Sequence, residues 1–208
     1  MSTGKRQARG RHEYLVTSGE QRRALASPVR QEVVDTLHAA GPSTMARLAG
    51  LLGRPADGLY FHVKVLLRVG LVVEAGTSGS GRSLAAVYDV PGRPLRLAYG
   101  STRAERAEIA RIIRAAIRLS QREYERACAR GERAEQPGRV LWGGRAKGWL
   151  SGVQQRRAGT LLKELESLLQ SGSPGRGARL MSFGYLLAPC EGARAGRRTG
   201  GRRERSST

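Results

Sequence analysis

Hydrophobic residues in the first half of the chain recur at helical spacing in several short stretches, of which residues 55–72 are the most informative. Leu59, Val63 and Leu66 follow one another at i, i+4 and i+7, so they share one side of a helix. Pro55 suits the start of that helix and Gly70 ends it. The remaining sides present a glycine, two aromatic residues and a cation: Gly58, Tyr60, Phe61 and Lys64.

Shorter helical patterns precede this stretch. A first helix is predicted over 20–26, and a second from Pro28 to about Ala40, with Ser27 as its cap. A third helix begins behind Ser43 or Thr44. It is connected to the next helix by the turn Gly53-Arg54-Pro55. Two short helices, a tight turn and a further helix form a helix-turn-helix arrangement.

Two strands are predicted after the helices, over 71–75 and 83–90. The segment between them, 76–82, is rich in glycine and serine and ends at Arg82. A hairpin whose tip carries an arginine can reach a minor groove or DNA phosphates. A hairpin loop without any role has a similar composition, so both interpretations stay open here.

A long helix follows the linker that begins at 91–94. Thr102 and Glu105 form a capping-box pattern, and the helix is predicted to run to about Arg130. About 28 residues is more than twice the usual helix length, so its apolar side needs a partner surface. We favour the same helix of a second subunit as this partner surface. The alternative is the chain's own helix-turn-helix and hairpin together with its C-terminal segment. The predicted dimerisation residues are Ile109, Ile112, Ile113, Ala116 and Leu119.

The C-terminal part, 137–188, is predicted to be a small α/β segment. Strands are expected around 140–144, 147–150 and 179–187, flanking a helix over 151–170 whose leucines face inward. Its aromatic residues are expected either to belong to a core or to line a pocket for an unknown small-molecule effector. These residues are Trp142, Trp149, Phe183 and Tyr185.

Composition points to a polyanionic partner. The formal net charge is +20 and the sequence pI is about 11.5, although a coding bias towards arginine would also raise both. Residues 1–19 are expected to be a flexible basic arm and 189–208 a disordered basic tail. No signal peptide or spanning helix is found, so the chain is expected to be cytoplasmic and to have no membrane partner.

No arrangement typical of catalysis is found, and no enzyme activity or cofactor is expected. The three histidines are scattered, Cys128 and Cys190 lack metal-ligand spacing, and the glycines of 76–81 lack the lysine of a phosphate loop. Acidic residues mostly accompany arginines on helix faces, as Glu105 and Glu108 accompany Arg111.

Residues 25–90 resemble the ArsR-like winged helix-turn-helix regulators of prokaryotes. The resemblance rests on Leu25-Ala26-Ser27-Pro28-Val29-Arg30, on Leu48-Ala49-x-x-Leu52-Gly53 and on His62-Val63-Lys64-Val65-Leu66-x-x-x-Gly70-Leu71-Val72. It implies a DNA-binding homodimer. Metal-sensing members carry a Cys-x-Cys before the recognition helix, whereas residues 44–47 here are Thr-Met-Ala-Arg. No metal site is therefore expected.

The combined prediction is a mainly α (α+β) fold with a winged helix-turn-helix domain over 20–90, a linker and long dimerisation helix over 91–130, and the C-terminal segment. The predicted function is a sequence-specific transcriptional regulator that binds double-stranded DNA as a homodimer at a palindromic operator. The alternative is a winged-helix interaction or scaffold module that binds protein or RNA through its basic tails. The predicted DNA contacts are Gly58, Tyr60, Phe61 and Lys64 in the major groove, Arg82 at the hairpin tip, and Arg30 and Arg68 at the backbone.

Overall fold

The computed structural model describes residues 12–132 and 138–190, which form a mainly helical fold with two small sheets. Its helices follow the predicted order through the first 130 residues, and three short strands occur there that were not predicted. In chain order they are β1 (Tyr14–Val16), α1 (Gly19–Leu25), α2 (Pro28–Ala40), β2 (Ser43–Thr44), α3 (Met45–Leu52), α4 (Ala56–Arg68), β3 (Val73–Ser78), β4 (Ala85–Asp89), β5 (Leu95–Leu97), α5 (Arg103–Ala129) and α6 (Gly152–Ser171).

Helices α2, α3 and α4 pack around one apolar core. Leu37, Leu48 and Leu66, one from each helix, are completely buried there. Thr44 caps α3 by accepting a hydrogen bond from the backbone N–H of Arg47 at 3.3 Å. Gly53 ends α3 in the left-handed conformation, at φ 60°, which lets the chain turn directly into α4. The predicted helix-turn-helix is therefore confirmed.

The two strands of the hairpin after α4 have other bounds than predicted, because the first lies further along the chain and the second is shorter. Strand β3 begins only at Val73, because Leu71 and Val72 are buried in the core, and it extends to Ser78. It pairs antiparallel with β4, and β4 also pairs with β2. At the tip, Gly79 has a φ of 94°, and a Cβ there would lie 2.4 Å from the carbonyl oxygen of Ser83. Only glycine fits this turn.

Residues 14–16 form strand β1, so the prediction of a flexible arm over 1–19 is wrong for them. Strand β1 pairs in parallel with β5, and Val16 is completely buried. Tyr14 accepts a hydrogen bond through its hydroxyl oxygen from the side-chain amide of Gln21 at 2.8 Å. The first part of the predicted arm, 1–11, lies outside the described residues.

Helix α5 spans nearly the predicted range and packs along α1 and α2. Arg22 is almost fully buried at this contact and donates hydrogen bonds to Glu108 at 2.7 Å and to Glu105 at 3.4 Å. Glu105 and Glu108 thus pair with Arg22 of α1, and not with Arg111 as predicted. The buried amide of Gln31 adds a second link, because it donates to the backbone carbonyls of Leu25 and Ile112.

The prediction of strands in the C-terminal α/β segment is wrong. Within residues 138–190 the structure contains α6, which begins with a capping box at Ser151, but no strand. Alternating apolar residues form a strand only where a neighbouring backbone completes the hydrogen bonds, and no described part of the chain supplies one. The prediction that the α6 leucines face inward is also wrong, because this helix has no buried residue. The predicted tail after residue 190 lies outside the described residues.

Across the two described ranges, no helix is both long and apolar enough to cross a membrane.

Candidate nucleic-acid interface

The exposed side of α4 is the main candidate surface. Helical spacing turns Leu59, Val63 and Leu66 into the core, where each is at most 1% exposed. The residues predicted to contact DNA consequently share the outer side of the helix. Five of them are exposed together on α4: Gly58, Tyr60, Phe61, Lys64 and Arg68.

Gly58 has no structural role within the described chain. It lies in the first turn of α4 with an ordinary helical backbone, and a Cβ built on it meets no atom within 4 Å. Glycine in a helix costs up to about 1 kcal/mol relative to alanine. The described chain leaves the space beside this backbone open, so a partner can approach α4 closely at residue 58.

Two aromatic rings project from the same surface. Tyr60 is 47% exposed and Phe61 is 67% exposed. The ring of Phe61 meets His62 edge to face, with 5.6 Å between the ring centroids. Burial, followed by the positive charges of Arg30 and Arg54, lowers the pKa of His62. The sequence pattern alone did not indicate this contact between Phe61 and His62.

The charge on this surface comes from Lys64 and Arg68. Neither side chain forms an ion pair with a described residue, whereas Arg54, just before the helix, pairs with Glu32 at 2.6 Å. Asp57 is the exposed acidic residue in the first turn of α4. The surface can therefore offer free cationic donors to phosphates or to the acceptor edge of guanine.

The hairpin of β3 and β4 places its tip beyond the sheet. The backbone of Arg82 lies in the single 3₁₀ turn Gly81–Ser83, between the two strands. This is the position expected for the tip of a wing, although the strands enclose a shorter loop than predicted.

Arg30 differs from the other predicted DNA-binding residues, because its guanidinium already has partners within the chain. Its Nε donates to the carbonyl of Ala24 at 2.6 Å, and another nitrogen donates to that of Arg23 at 3.4 Å. These are carbonyls at the end of α1, so Arg30 joins α1 to α2. The structure does not bring Arg30 onto the exposed side of α4.

The predicted dimerisation residues lie on two sides of α5. Ile109, Ile112 and Leu119 are buried, and Ile112 belongs to the core of the winged domain. The chain's own winged domain thus covers much of the stripe, as in the alternative considered from the sequence. Ile113 and Ala116 remain partly exposed. Ile113 lines an open groove along α5 together with Tyr99, Ile117 and Leu186.

The aromatic residues of the C-terminal part do not form a core. Trp142 is 67% exposed and Trp149 is 69% exposed. Phe183 and Tyr185 stack on each other with ring centroids 5.2 Å apart, but both stay exposed. The interpretation as core residues is therefore wrong, and the interpretation as residues that line an effector pocket stays a prediction.

No cluster of metal-binding side chains is present among the described residues, where no three histidine, cysteine, aspartate or glutamate residues converge. Thr44 and Arg47 instead cap α3, and the Arg47 guanidinium donates to the carbonyls of Pro42 and Ala40. These side chains hold the helix-turn-helix in place and offer no thiolate.

An exposed helix that follows another helix and a tight turn, and that is itself followed by a β-hairpin, defines the winged helix-turn-helix fold. A family model described as a helix-turn-helix domain matches residues 25–75, which comprise α2 to α4 and the start of β3. The matched region is about a quarter of the chain. No curated protein matches the chain. The chain thus contains a helix-turn-helix domain, which supports a DNA-binding regulator.

Proposed function

We propose that the protein is a sequence-specific transcriptional regulator of the ArsR-like type without a metal site, which binds a palindromic operator as a homodimer. The observation that carries this proposal is the outer side of α4, where Gly58, Tyr60, Phe61, Lys64 and Arg68 are exposed together. A helix with such a surface fits the major groove, which is wide enough to admit it. The net charge of +20 adds a general attraction to phosphate.

In this proposal α4 reads bases through Tyr60, Phe61 and Lys64, and Gly58 lets the backbone approach the groove. Arg68, at the end of α4, contacts phosphate. Arg30 acts mainly by fixing α1 on α2, with any phosphate contact secondary to its two internal hydrogen bonds.

The wing contributes a contact outside the major groove. Arg82, at the hairpin tip, is proposed to reach the flanking minor groove or phosphates. Arg82→Ala should weaken DNA binding and shift the thermal midpoint by no more than about 2 °C, because loop substitutions away from packed features cost less than about 0.5 kcal/mol. A large loss of stability would instead make Arg82 a structural residue and would remove the wing from the interface.

The second subunit supplies a second recognition helix. A single helix-turn-helix reads few base pairs, and two copies held about 34–36 Å apart read two half-sites. The partly exposed side of α5, with Ile113 and Ala116, is proposed as one dimer contact. The operator, the regulated genes and any small-molecule effector are not part of the proposal.

Selection of bound sequences from a random DNA pool tests the proposal directly. We expect an enriched motif with two inverted half-sites, and binding to it that survives an excess of random DNA. Enrichment of a single half-site would retain the DNA-binding part and remove the dimer. No enrichment, together with salt-sensitive binding to any nucleic acid, would favour the alternative of a module that binds RNA or protein through its basic tails.

A further inference from the structure

The open groove along α5 combines an apolar lining with the size of a small-molecule site. Ile109, Ile113 and Ile117 line it at i, i+4 and i+8 of the helix. Tyr99 and Leu186 line it from two other parts of the chain, so the surface between them is concave. The groove has a volume of about 730 Å³. Pockets that hold small molecules have volumes of about 300–1,000 Å³.

The apolar lining of the groove remains in contact with water. Tyr99 is 80% exposed and Leu186 is 68% exposed, while Ile113 and Ile117 are only partly buried. Removal of apolar surface from water is favourable, and a concave lining lets one small molecule cover several side chains at once. The groove is therefore suited to the apolar body of a ligand.

Two cations line the same groove. Arg114 and Arg118 lie one helical turn apart on α5, and neither forms an ion pair with a described residue. A third arginine of the lining, Arg106, donates a hydrogen bond to the backbone carbonyl of Ser101. Like charges at i and i+4 of a helix repel each other. An anion bound between Arg114 and Arg118 would relieve this repulsion.

The chain supplies no acidic residue to these arginines from the same stretch of α5. Residues 109–122 contain four arginines and no aspartate or glutamate. Glu105 and Glu108, just before this stretch, pair with Arg22 of α1. A second copy of this stretch laid over the groove would bring further arginines towards Arg114 and Arg118, whereas a small anion would neutralise them. The charge pattern therefore favours an anionic ligand over a second α5.

We propose that the groove binds an amphipathic carboxylic acid of the fatty-acid type. The acyl chain lies along Ile109, Ile113 and Ile117, and the carboxylate accepts hydrogen bonds from Arg114 and Arg118. Guanidinium groups match carboxylates in charge and in the geometry of their donors. From residue 109 to residue 118 the helix rises about 14 Å, which gives an extended acyl chain room to lie along it. This ligand site goes beyond the proposed function and requires no DNA.

Isothermal titration calorimetry of the full chain with decanoate and with 1-decanol tests the role of the charge. Decanoate should bind at least about tenfold more tightly than the alcohol. The double variant Arg114→Gln/Arg118→Gln should weaken decanoate binding about 10- to 100-fold, because hydrogen bonds from charged groups are lost, and should change decanol binding less than about twofold. The matched control Arg111→Gln/Arg122→Gln removes the same charge from exposed positions outside the lining and should leave decanoate binding unchanged.

Filling the groove tests its location. Ala110 is exposed and belongs to the lining, so the ring in Ala110→Phe should occupy space that the acyl chain needs. This variant should weaken the binding of both decanoate and decanol at least about tenfold. Ala104→Phe places the same ring at an exposed position of α5 outside the lining and should bind both compounds as the wild type does. Circular dichroism verifies that both variants keep their helices.

Four results would overturn the inference. They are a wild type that does not bind decanoate, equal affinity for decanoate and decanol, equal losses in the two double arginine variants, and decanoate binding that Ala110→Phe leaves intact. Sedimentation equilibrium adds a fifth, because a wild-type dimer that dissociates with Ala110→Phe would show that a second copy covers the groove. Ala116, proposed as part of the dimer contact, lies outside the lining. None of these measurements uses DNA, so such a result would leave sequence-specific DNA binding as proposed.

Discussion

Gly58→Ala should make the protein more stable and its DNA binding weaker. The added methyl group meets no atom within 4 Å in the free chain, and the backbone at residue 58 is already helical. Replacing a helical glycine by alanine gains about 0.5–1 kcal/mol. For a chain of 208 residues this corresponds to a rise in the thermal midpoint of about 1–4 °C.

The expected effect on binding has the opposite sign. If the α4 backbone lies against a base pair at residue 58, the methyl group overpacks a surface as dense as a protein interior, at a cost of about 1–3 kcal/mol. The dissociation constant for the selected operator should then rise about 5- to 150-fold. Fluorescence anisotropy at constant salt measures this rise, and differential scanning calorimetry measures the midpoint.

Gly159→Ala is the matched control, because Gly159 is also helical and a Cβ there also meets no atom within 4 Å. It should leave operator affinity unchanged. If Gly58→Ala stabilises the protein and binds the operator as tightly as the wild type, the backbone at residue 58 does not approach DNA. The docking of α4 would then have to be revised.

Three further substitutions test the interface, the docking of α5 and the half-buried His38. Lys64→Ala should cost about 1–3 kcal/mol of operator affinity if Lys64 reads a base, or reduce the salt slope of binding by about 1 if Lys64 contacts phosphate. The control variant Lys163→Ala, on α6, should change neither quantity. If Lys64→Ala leaves both the affinity and the salt slope unchanged, Lys64 lies outside the interface. Arg22→Met should cost about 1.5–3 kcal/mol in urea unfolding, because Glu108 loses the hydrogen bond from a buried charged group. Arg23→Met removes only an exposed guanidinium 3.9 Å from Glu108 and should cost under about 1 kcal/mol; equal losses would refute a specific role for Arg22. Burial, followed by the charge of Arg93, lowers the pKa of His38 in the folded chain. The unfolded chain therefore binds more protons, and stability should be lost as the pH falls below about 6.5. His38→Gln should flatten this dependence of stability on pH between about pH 7.5 and 5.5, and an unchanged slope would exclude His38 as its source.

The helix-turn-helix was predictable because its signals are local. The spacing of Leu59, Val63 and Leu66 determined which side of α4 is buried, and the same spacing left the candidate DNA contacts exposed. Thr102 and Glu105 similarly placed the start of α5 to within a residue, since a capping box involves only four consecutive positions.

Contacts between distant residues were not predictable from these local patterns. The partner of Glu105 and Glu108 is Arg22, more than 80 positions away, and helical spacing suggested Arg111 only because it is near in sequence. Strand β1 has three residues and its partner is equally distant, so no alternation could reveal it. The aromatic residues near Trp142 and Phe183 resemble strand residues, but a strand also requires a partner backbone, which sequence alternation cannot supply.

The parallel pairing of β1 with β5 bears on where the folding unit begins and ends. Tyr14 and Leu95 are 81 positions apart, so the loop between them can close only after Leu97 has been synthesised. A chain trimmed to the matched residues 25–75 would lack β4 and the buried side chain of Val16, and would leave part of the core open to water. A fragment that keeps this core complete therefore runs from about residue 12 through β5 and into α5, because Ile112 belongs to the same core.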